Sequence, residues 1–166
     1  MIDAQIGHEK TMTSLLPAIT GSNIIYGMGM LEMGMTMSYE QLLIDQEIVR
    51  MIRRIMKGIT VNKDTIALDV IQKVGPAGNY LAERHTLKYM RQELSTTELI
   101  NRRMRDHWEN EGAKDIAQTA REKAIEILQN YKPTPLPEDV ARKIRSIVEE
   151  GEEEASELEK FQNSKK

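Results

Sequence analysis

The chain has 166 residues and a formal net charge of −3, so its length suits one ordinary domain and its charge gives no reason to expect a nucleic-acid partner. It contains no cysteine, which excludes disulfides, thiolate nucleophiles and thiolate metal ligands. The sequence has no apolar run near the ~18 residues of a membrane span and no secretory leader at its start, so we expect a cytoplasmic protein without a membrane partner.

The first predicted element is a helix from about Gln5 to Thr20, and Pro17 predicts a kink or an early end. Its apolar face repeats at three- and four-residue spacing: Met12, Leu15, Leu16 and Ile19. After Gly21, the run NIIY at 23–26 is too short for a helix and predicts a buried strand. The opening residues IDAQ at 2–5 predict the end of an earlier strand.

Glycine and methionine dominate the segment that follows. Residues 23–37 hold five methionines and three glycines, and GMGMLEMGM at 27–35 predicts a loop. Plain core packing is one interpretation, since methionine fills irregular gaps. The other is a turn at the mouth of a binding cavity, where glycine lets the backbone approach a ligand and methionine forms an apolar wall.

The clearest helix is predicted to begin at Ser38, whose spacing to Gln41 is that of a capping box, and to end at Gly58. Acidic residues come first and basic residues last, which matches the helix dipole. Further helices are predicted after the cap Asn62 up to Gly75-Pro76, and then over about 81–91, 113–130 and 137–161. The proline-rich PTPLPEDV predicts a rigid linker before the last of these.

The order of strand, loop and helix is typical of βα units in a parallel sheet, which needs neighbouring strands. A complete eightfold barrel takes roughly 250 residues, more than this chain has. We therefore expect an α/β fold, the C-terminal part of a (β/α)8 TIM-type barrel with added C-terminal helices, predominantly helical in this chain. The predicted divisions are 1–60 for the last βα units, 61–132 for a helical extension and 133–166 for the linker and acidic terminal helix.

Known chemical motifs are mostly excluded. His8-Glu9 lacks the second histidine of a zinc motif, DHWENEG at 106–112 lacks the spacing of a corrinoid-binding signature, and no phosphate-binding loop is present. The remaining candidates are polar residues at predicted strand ends and in the loop: Asp3, Gln5, Tyr26 and Glu32. We predict them to bind substrate, although a solvated carboxylate at Glu32 and core packing of Tyr26 are the simpler alternatives. A carboxylate beside methionines would favour a cationic amine.

Several stretches resemble the C-terminal region of the trimethylamine methyltransferase family. They are DAQIGHEKTMTSLLPAITGSNIIYGMGMLEMGMTMSYEQLLIDQEI, ALDVIQKVGPAGNYL, the residues Arg84-His85-Thr86, WENEGAKD and the closing helix. The resemblance covers nearly the whole chain. It implies a (β/α)8 enzyme that moves a methyl group from a methylamine or betaine to the Co(I) of a partner corrinoid protein.

In the trimethylamine branch, the resemblance further implies that a pyrrolysine encoded by an amber codon activates the amine. This chain contains none. A start at Met1 just after such a codon would explain its length, and a natural fragment gene or a deliberate truncation would explain it equally. We expect no metal or cofactor bound directly and no catalytic residue here, and we expect the chain alone to be inactive and prone to form homo-oligomers. The alternative is a non-catalytic helical protein that docks a corrinoid or methyltransferase partner.

Overall fold

The structure is a computed structural model that describes residues 2–163, and the chain divides between residues 129 and 130 into two compact units. The helices are α1 (Ala4–Ile19), α2 (Tyr39–Met56), α3 (Lys63–Ile66), α4 (Leu68–Val74), α5 (Arg84–Glu93), α6 (Arg105–Asn110), α7 (Ile116–Asn130) and α8 (Glu138–Asn163). Two short strands, β1 (Met30–Leu31) and β2 (Thr36–Met37), form an antiparallel pair. Short 3-10 segments cover Glu32–Gly34 and Tyr80–Ala82.

The two strands predicted near the N-terminus are absent from the described structure. Asp3 instead caps α1, and its carboxylate accepts a hydrogen bond from the Ile6 amide, so residues 4 and 5 are already helical. Residues 23–26 are irregular, with Ile24 82 % and Tyr26 87 % exposed. A lone strand leaves its backbone groups unpaired, and the described residues offer this segment no partner strand. The predictions of a strand at 2–5 and at 23–26 were therefore wrong for this chain.

The helix predictions were largely confirmed because their signals are local. The Ser38 hydroxyl accepts a hydrogen bond from the Gln41 amide at 3.1 Å, and Gly58 follows the end of α2 with φ +69°. Asn62 and Thr65 form a reciprocal capping box at α3, but Ala67 (φ +52°) breaks the single helix predicted from Asn62 to Gly75 into α3 and α4. The helix predicted over 81–91 runs from Arg84 to Glu93 instead, because residues 80–82 form a 3-10 turn.

The apolar core of the first unit is small and lies against α2. Ile44, Leu99 and Ala120 are buried together, and Ile2, Leu43 and Ile116 pack against them. Beside this core, Glu47 is 2 % exposed, and both of its carboxylate oxygens accept from the single Glu98 amide, at 3.1 and 3.2 Å. Arg50 binds the same carboxylate at 3.1 Å. The connector between α5 and α6 is thus held to α2 by a buried charge as well as by apolar contact.

Large apolar side chains are exposed along much of the first unit, among them Leu16 and Ile19 of α1, Ile55 of α2 and Leu68 of α4. Such surface costs solvation free energy unless something covers it. This arrangement fits a segment whose packing surfaces belong partly to other polypeptide. The described structure is mostly helical with one two-stranded sheet, and the predicted barrel and the divisions at residues 60 and 132 stay predictions.

No helix among residues 2–163 combines the length and the apolar character that crossing a membrane requires.

We expect Glu47→Gln to lower the free energy of unfolding by about 1–3 kcal/mol, because it weakens charge-assisted hydrogen bonds at a buried site. The measurement is urea unfolding of the chain followed by circular dichroism. Glu126→Gln is the matched control, since Glu126 forms an exposed ion pair with Lys123 and should change stability by less than about 0.5 kcal/mol. Equal stabilities for the two variants would contradict the anchoring role of Glu47.

Candidate functional site

The Gly- and Met-rich loop folds into a compact hairpin, here called the methionine hairpin (residues 27–37). Met30 pairs with Met37 and Leu31 with Thr36, and the Ser38 amide donates to the Gly29 carbonyl at 2.8 Å. The turn between the strands has positive φ at three consecutive residues: Glu32 (52°), Met33 (52°) and Gly34 (90°). This unusual backbone turns the chain back within a few residues.

A buried carboxylate anchors this hairpin to α2. Asp45 is 3 % exposed, and its Oδ2 accepts from the Gly29 amide at 2.8 Å and lies 3.2 Å from Lys10 Nζ. Its Oδ1 accepts from Gln41 Nε2 at 2.7 Å. Lys10 also donates to the Gly27 carbonyl. One ion pair with a buried carboxylate therefore joins α1, the hairpin and α2, and the carboxylate is compensated by hydrogen bonds as burial requires.

Gly29 cannot be replaced without disturbing this anchor. Its φ is +76°, and a Cβ atom there would lie 2.7 Å from Met37 Cε and 3.1 Å from Leu42 Cβ. Glycine avoids both the backbone strain and the close contacts. The residue at position 29 thus permits the hydrogen bond to Asp45.

The outward side of the hairpin is apolar with one carboxylate. Met33 and Met35 are almost fully exposed, and Met37 is half exposed. Glu32 is exposed as well, and it accepts a hydrogen bond from Thr36 Oγ1 at 2.6 Å. A soft apolar surface beside a fixed negative charge is chemically suited to a methylated ammonium group.

The four predicted site residues do not form one cluster within the described part of the chain. Asp3 caps α1, Gln5 donates to Glu9 Oε1 at 2.8 Å, Tyr26 is exposed before the hairpin and Glu32 lies at its turn. No hydrogen bond among the described residues joins any two of them. Their assignment to a substrate pocket stays a prediction.

A shallow groove of about 470 Å³ runs between α1, α2 and the start of α7, and Asp3 borders it. Gln41 also borders it and is fully buried, and its Oε1 has no hydrogen-bond partner in the described structure. The groove is lined mainly by aliphatic side chains, including Ile2, Ile6, Ile44, Ile48 and Ile116. It adds apolar surface close to the hairpin anchor, without an assembled set of reactive groups.

A second polar cluster joins α3 to α5. The Asp64 carboxylate binds Lys88 Nζ at 2.6 Å and the Tyr89 hydroxyl, while His85 Nε2 lies 2.7 Å from the Asp64 carbonyl oxygen. Hydrogen bonds from Lys88 and Tyr89 hold the pKa of Asp64 below its usual value, and the bond to Asp64 raises the pKa of Tyr89. These groups are open to solvent, so the cluster is a structural tie between two helices.

Asp45 and Lys10 are the important residues that sequence reasoning missed. By sequence, Asp45 belongs to the acidic residues early in α2 that match the helix dipole. In the structure it lies more than a turn inside the helix and is buried. Gln41 and Asp45 are four residues apart, among apolar positions of the same helix face. That spacing was the available signal. The other partners of Asp45, Gly29 and Lys10, are too distant in sequence for residue spacing to indicate them.

Among the described residues, no group of three or more histidine, aspartate or glutamate side chains is placed to hold a metal ion.

Comparison with known proteins identifies relatives over most of the chain. The family model described as trimethylamine methyltransferase (MTTB) matches residues 1–156. The trimethylamine methyltransferase MttB of Desulfitobacterium hafniense (strain DSM 10664 / DCB-2) is 52 % identical over 152 residues, which are 92 % of this chain and 30 % of that protein. MttB2 of Methanosarcina mazei is 46 % identical over 90 % of this chain and 30 % of its own length.

A glycine betaine methyltransferase of Desulfitobacterium hafniense (strain Y51) is also similar, at 36 % identity over 94 % of this chain and 33 % of that protein. The chain thus spans about 30 % of the length of the trimethylamine methyltransferases that it matches. The family match covers far more than half of its residues. The chain belongs to the trimethylamine methyltransferase family.

Proposed function

We propose that this chain is the C-terminal segment of a methyltransferase that moves a methyl group from trimethylamine, or from a related methylamine or betaine, to the Co(I) of a corrinoid protein. The observation that carries this proposal is the 52 % identity, over 92 % of the chain, to a protein named trimethylamine methyltransferase. In such a transfer, cobalt takes the methyl group and the carbon–nitrogen bond breaks, so the amine nitrogen keeps the electron pair and loses one methyl.

The methionine hairpin is proposed to form part of the wall of the amine cavity, with Tyr26 beside it. Its exposed methionines offer polarizable apolar contact to methyl groups. The Glu32 carboxylate offers negative charge to the ammonium, and Thr36 orients that carboxylate by donating at 2.6 Å. Asp3 and Gln5 would contribute at the start of α1, next to the apolar groove.

Asp45 acts in this proposal as a positioning residue. Its buried carboxylate holds the Gly29 amide, and Lys10 binds both that carboxylate and the Gly27 carbonyl. These contacts fix the base of the hairpin at Gly27 and Gly29. A wall held in this way loses little conformational freedom when substrate binds, which favours affinity.

The remaining part of the active site would come from polypeptide outside this segment. The relatives are about three times as long, so on this proposal the earlier barrel strands and the residues that activate the amine belong to their other 70 %. The corrinoid would arrive on a separate carrier protein. On this proposal the chain by itself has no closed cavity and no activity.

A second candidate is a non-catalytic interaction protein that docks a corrinoid protein or a methyltransferase. The exposed apolar side chains of α1 and of the hairpin favour it, because they offer surface for another polypeptide. The two candidates differ in one property that can be measured, namely whether a longer polypeptide containing these residues demethylates an amine.

We expect the 166-residue chain to transfer no methyl group, and a full-length protein that contains it to do so. The assay mixes each protein with trimethylamine and a reduced corrinoid protein, and follows the cobalt absorbance and the dimethylamine formed. Omitting the amine is the control. Turnover by the short chain would overturn the segment proposal, and an inactive long form that binds the corrinoid protein tightly would support the interaction protein.

Within a full-length protein, we expect Glu32→Gln to weaken amine binding by roughly fivefold, because an exposed charge–cation contact is worth about 1 kcal/mol. The measurement is the Kd of trimethylammonium by calorimetry. Glu126→Gln is the control, since Glu126 lies on the exposed surface of α7, pairs with Lys123 and should leave the Kd unchanged. An unchanged Kd for Glu32→Gln would remove Glu32 from the site.

Gly29→Ala should also weaken amine binding, and it should lower the free energy of unfolding by about 1–3 kcal/mol through its strained φ and the contacts with Met37 and Leu42. Gly7→Ala is the matched control, because Gly7 is helical and its Cβ would meet open space. Calorimetry and urea unfolding check the two effects. If Gly29→Ala binds the amine as tightly as the parent protein does, the shape of the hairpin is irrelevant to substrate.

A further inference from the structure

Helix α8 has an apolar stripe along most of its length. The helix covers Glu138–Asn163, 26 residues or ~39 Å at 1.5 Å per residue. Residues at three- and four-residue spacing form the stripe: Val140, Ile144, Ile147, Val148, Gly151, Ala155 and Leu158. Val140, Ile144, Ile147, Val148 and Leu158 are all at least 40 % exposed, and a Cβ atom added at Gly151 would meet nothing within 4 Å.

Charge is distributed unevenly along the same helix. The basic residues Arg142, Lys143 and Arg145 lie in the first half. After Glu138 and Asp139 at its start, the helix thus has a basic segment (142–145). An acidic segment (149–157) follows, with Glu149, Glu150, Glu152, Glu153, Glu154 and Glu157. Lys143 and Glu157 lie on one border of the apolar stripe, and Arg145 and Glu152 lie on the other. In each pair the glutamate is two turns or more closer to the C-terminus.

We propose that α8 is a self-association surface that pairs antiparallel with α8 of a second copy of this chain. An antiparallel arrangement places the basic segment of one helix against the acidic segment of the other, at both ends of the pair. A parallel arrangement would align basic with basic and acidic with acidic residues, which repel. Charge complementarity therefore selects both the partner and its direction.

The spacing of the stripe also fits this arrangement. When Ile144 lies opposite Ala155 of the second copy, Val148 meets Gly151 and Val140 meets Leu158. Large residues of each helix then face small or apolar residues of the other, as close packing of helices requires. In the same register, Lys143 faces Glu157 and Arg145 faces Glu152 at the borders of the stripe.

This inference goes beyond the proposed methyl transfer and does not depend on it. It concerns the second compact unit, residues 130–166, whereas the methionine hairpin lies in the first. If the protein transfers no methyl group, the proposed α8 pairing still stands. If α8 does not pair, the methyl-transfer proposal still stands.

Charge reversal tests the pairing. We expect K143E/R145E to raise the dimer Kd of the full chain at least tenfold in sedimentation equilibrium, because two favourable pairs become repulsive at each end. The fourfold variant K143E/R145E/E152K/E157K should restore dimerisation, since it exchanges the two signs. Glutamate and lysine are both good helix formers, so circular dichroism should show unchanged helix content.

The matched control is R142E/E153K, which changes charges on the face of α8 opposite the stripe and should leave the dimer Kd unchanged. If the stripe instead covers another part of its own polypeptide, the chain will sediment as a monomer at all concentrations, and the proposal is overturned. An oligomer that none of these variants affects overturns it as well.

Disulfide cross-linking tests whether the two α8 helices are antiparallel. Because the chain contains no natural cysteine, only the introduced cysteines can form a disulfide. A mixture of Ile144→Cys and Ala155→Cys chains should form a mixed disulfide, because the two Cα atoms come within the ~7 Å that a disulfide needs. Ile144→Cys alone should not cross-link, since its two copies would be ~16 Å apart along the axis. Efficient cross-linking of Ile144→Cys to itself would indicate a parallel pair and contradict the proposal.

Discussion

The buried carboxylate of Asp45 determines the arrangement of the first unit. It binds Gly29 of the hairpin, Gln41 of its own helix and Lys10 of α1. Removing this buried charge would leave the Gly29 amide and the half-buried Lys10 ammonium without their partner, which costs more than the loss of an exposed ion pair. The apolar core of the unit is small, so such polar contacts decide which neighbouring segments meet.

Further along α2, polar contacts again attach neighbouring segments to the helix. Glu47 holds the connector at Glu98, and Arg54 donates to the Glu93 carbonyl at 2.7 Å and binds the Glu93 carboxylate as well. Successive turns of one helix thus attach to the hairpin, to the connector and to the end of α5. Helix α2 is the scaffold on which the rest of the unit is placed.

Local signals made the helices predictable. Ser38, Asn62 and Gly58 set helix ends through contacts with residues three or four positions away, and the structure confirms each. The strand predicted at 23–26 depended on pairing with distant polypeptide, and the described residues provide none. The hairpin was predicted only as a loop, because the anchor that shapes it joins Gly29 to a residue sixteen positions away.

The hairpin anchor also bears on the order of folding. Gly29 and Asp45 are sixteen residues apart, and Lys10 and Gly27 are seventeen apart. Loops of this length close quickly and at little entropic cost compared with contacts that span a whole barrel. Short sequence separation of this kind favours formation of the hairpin anchor ahead of contacts between more distant parts of the chain.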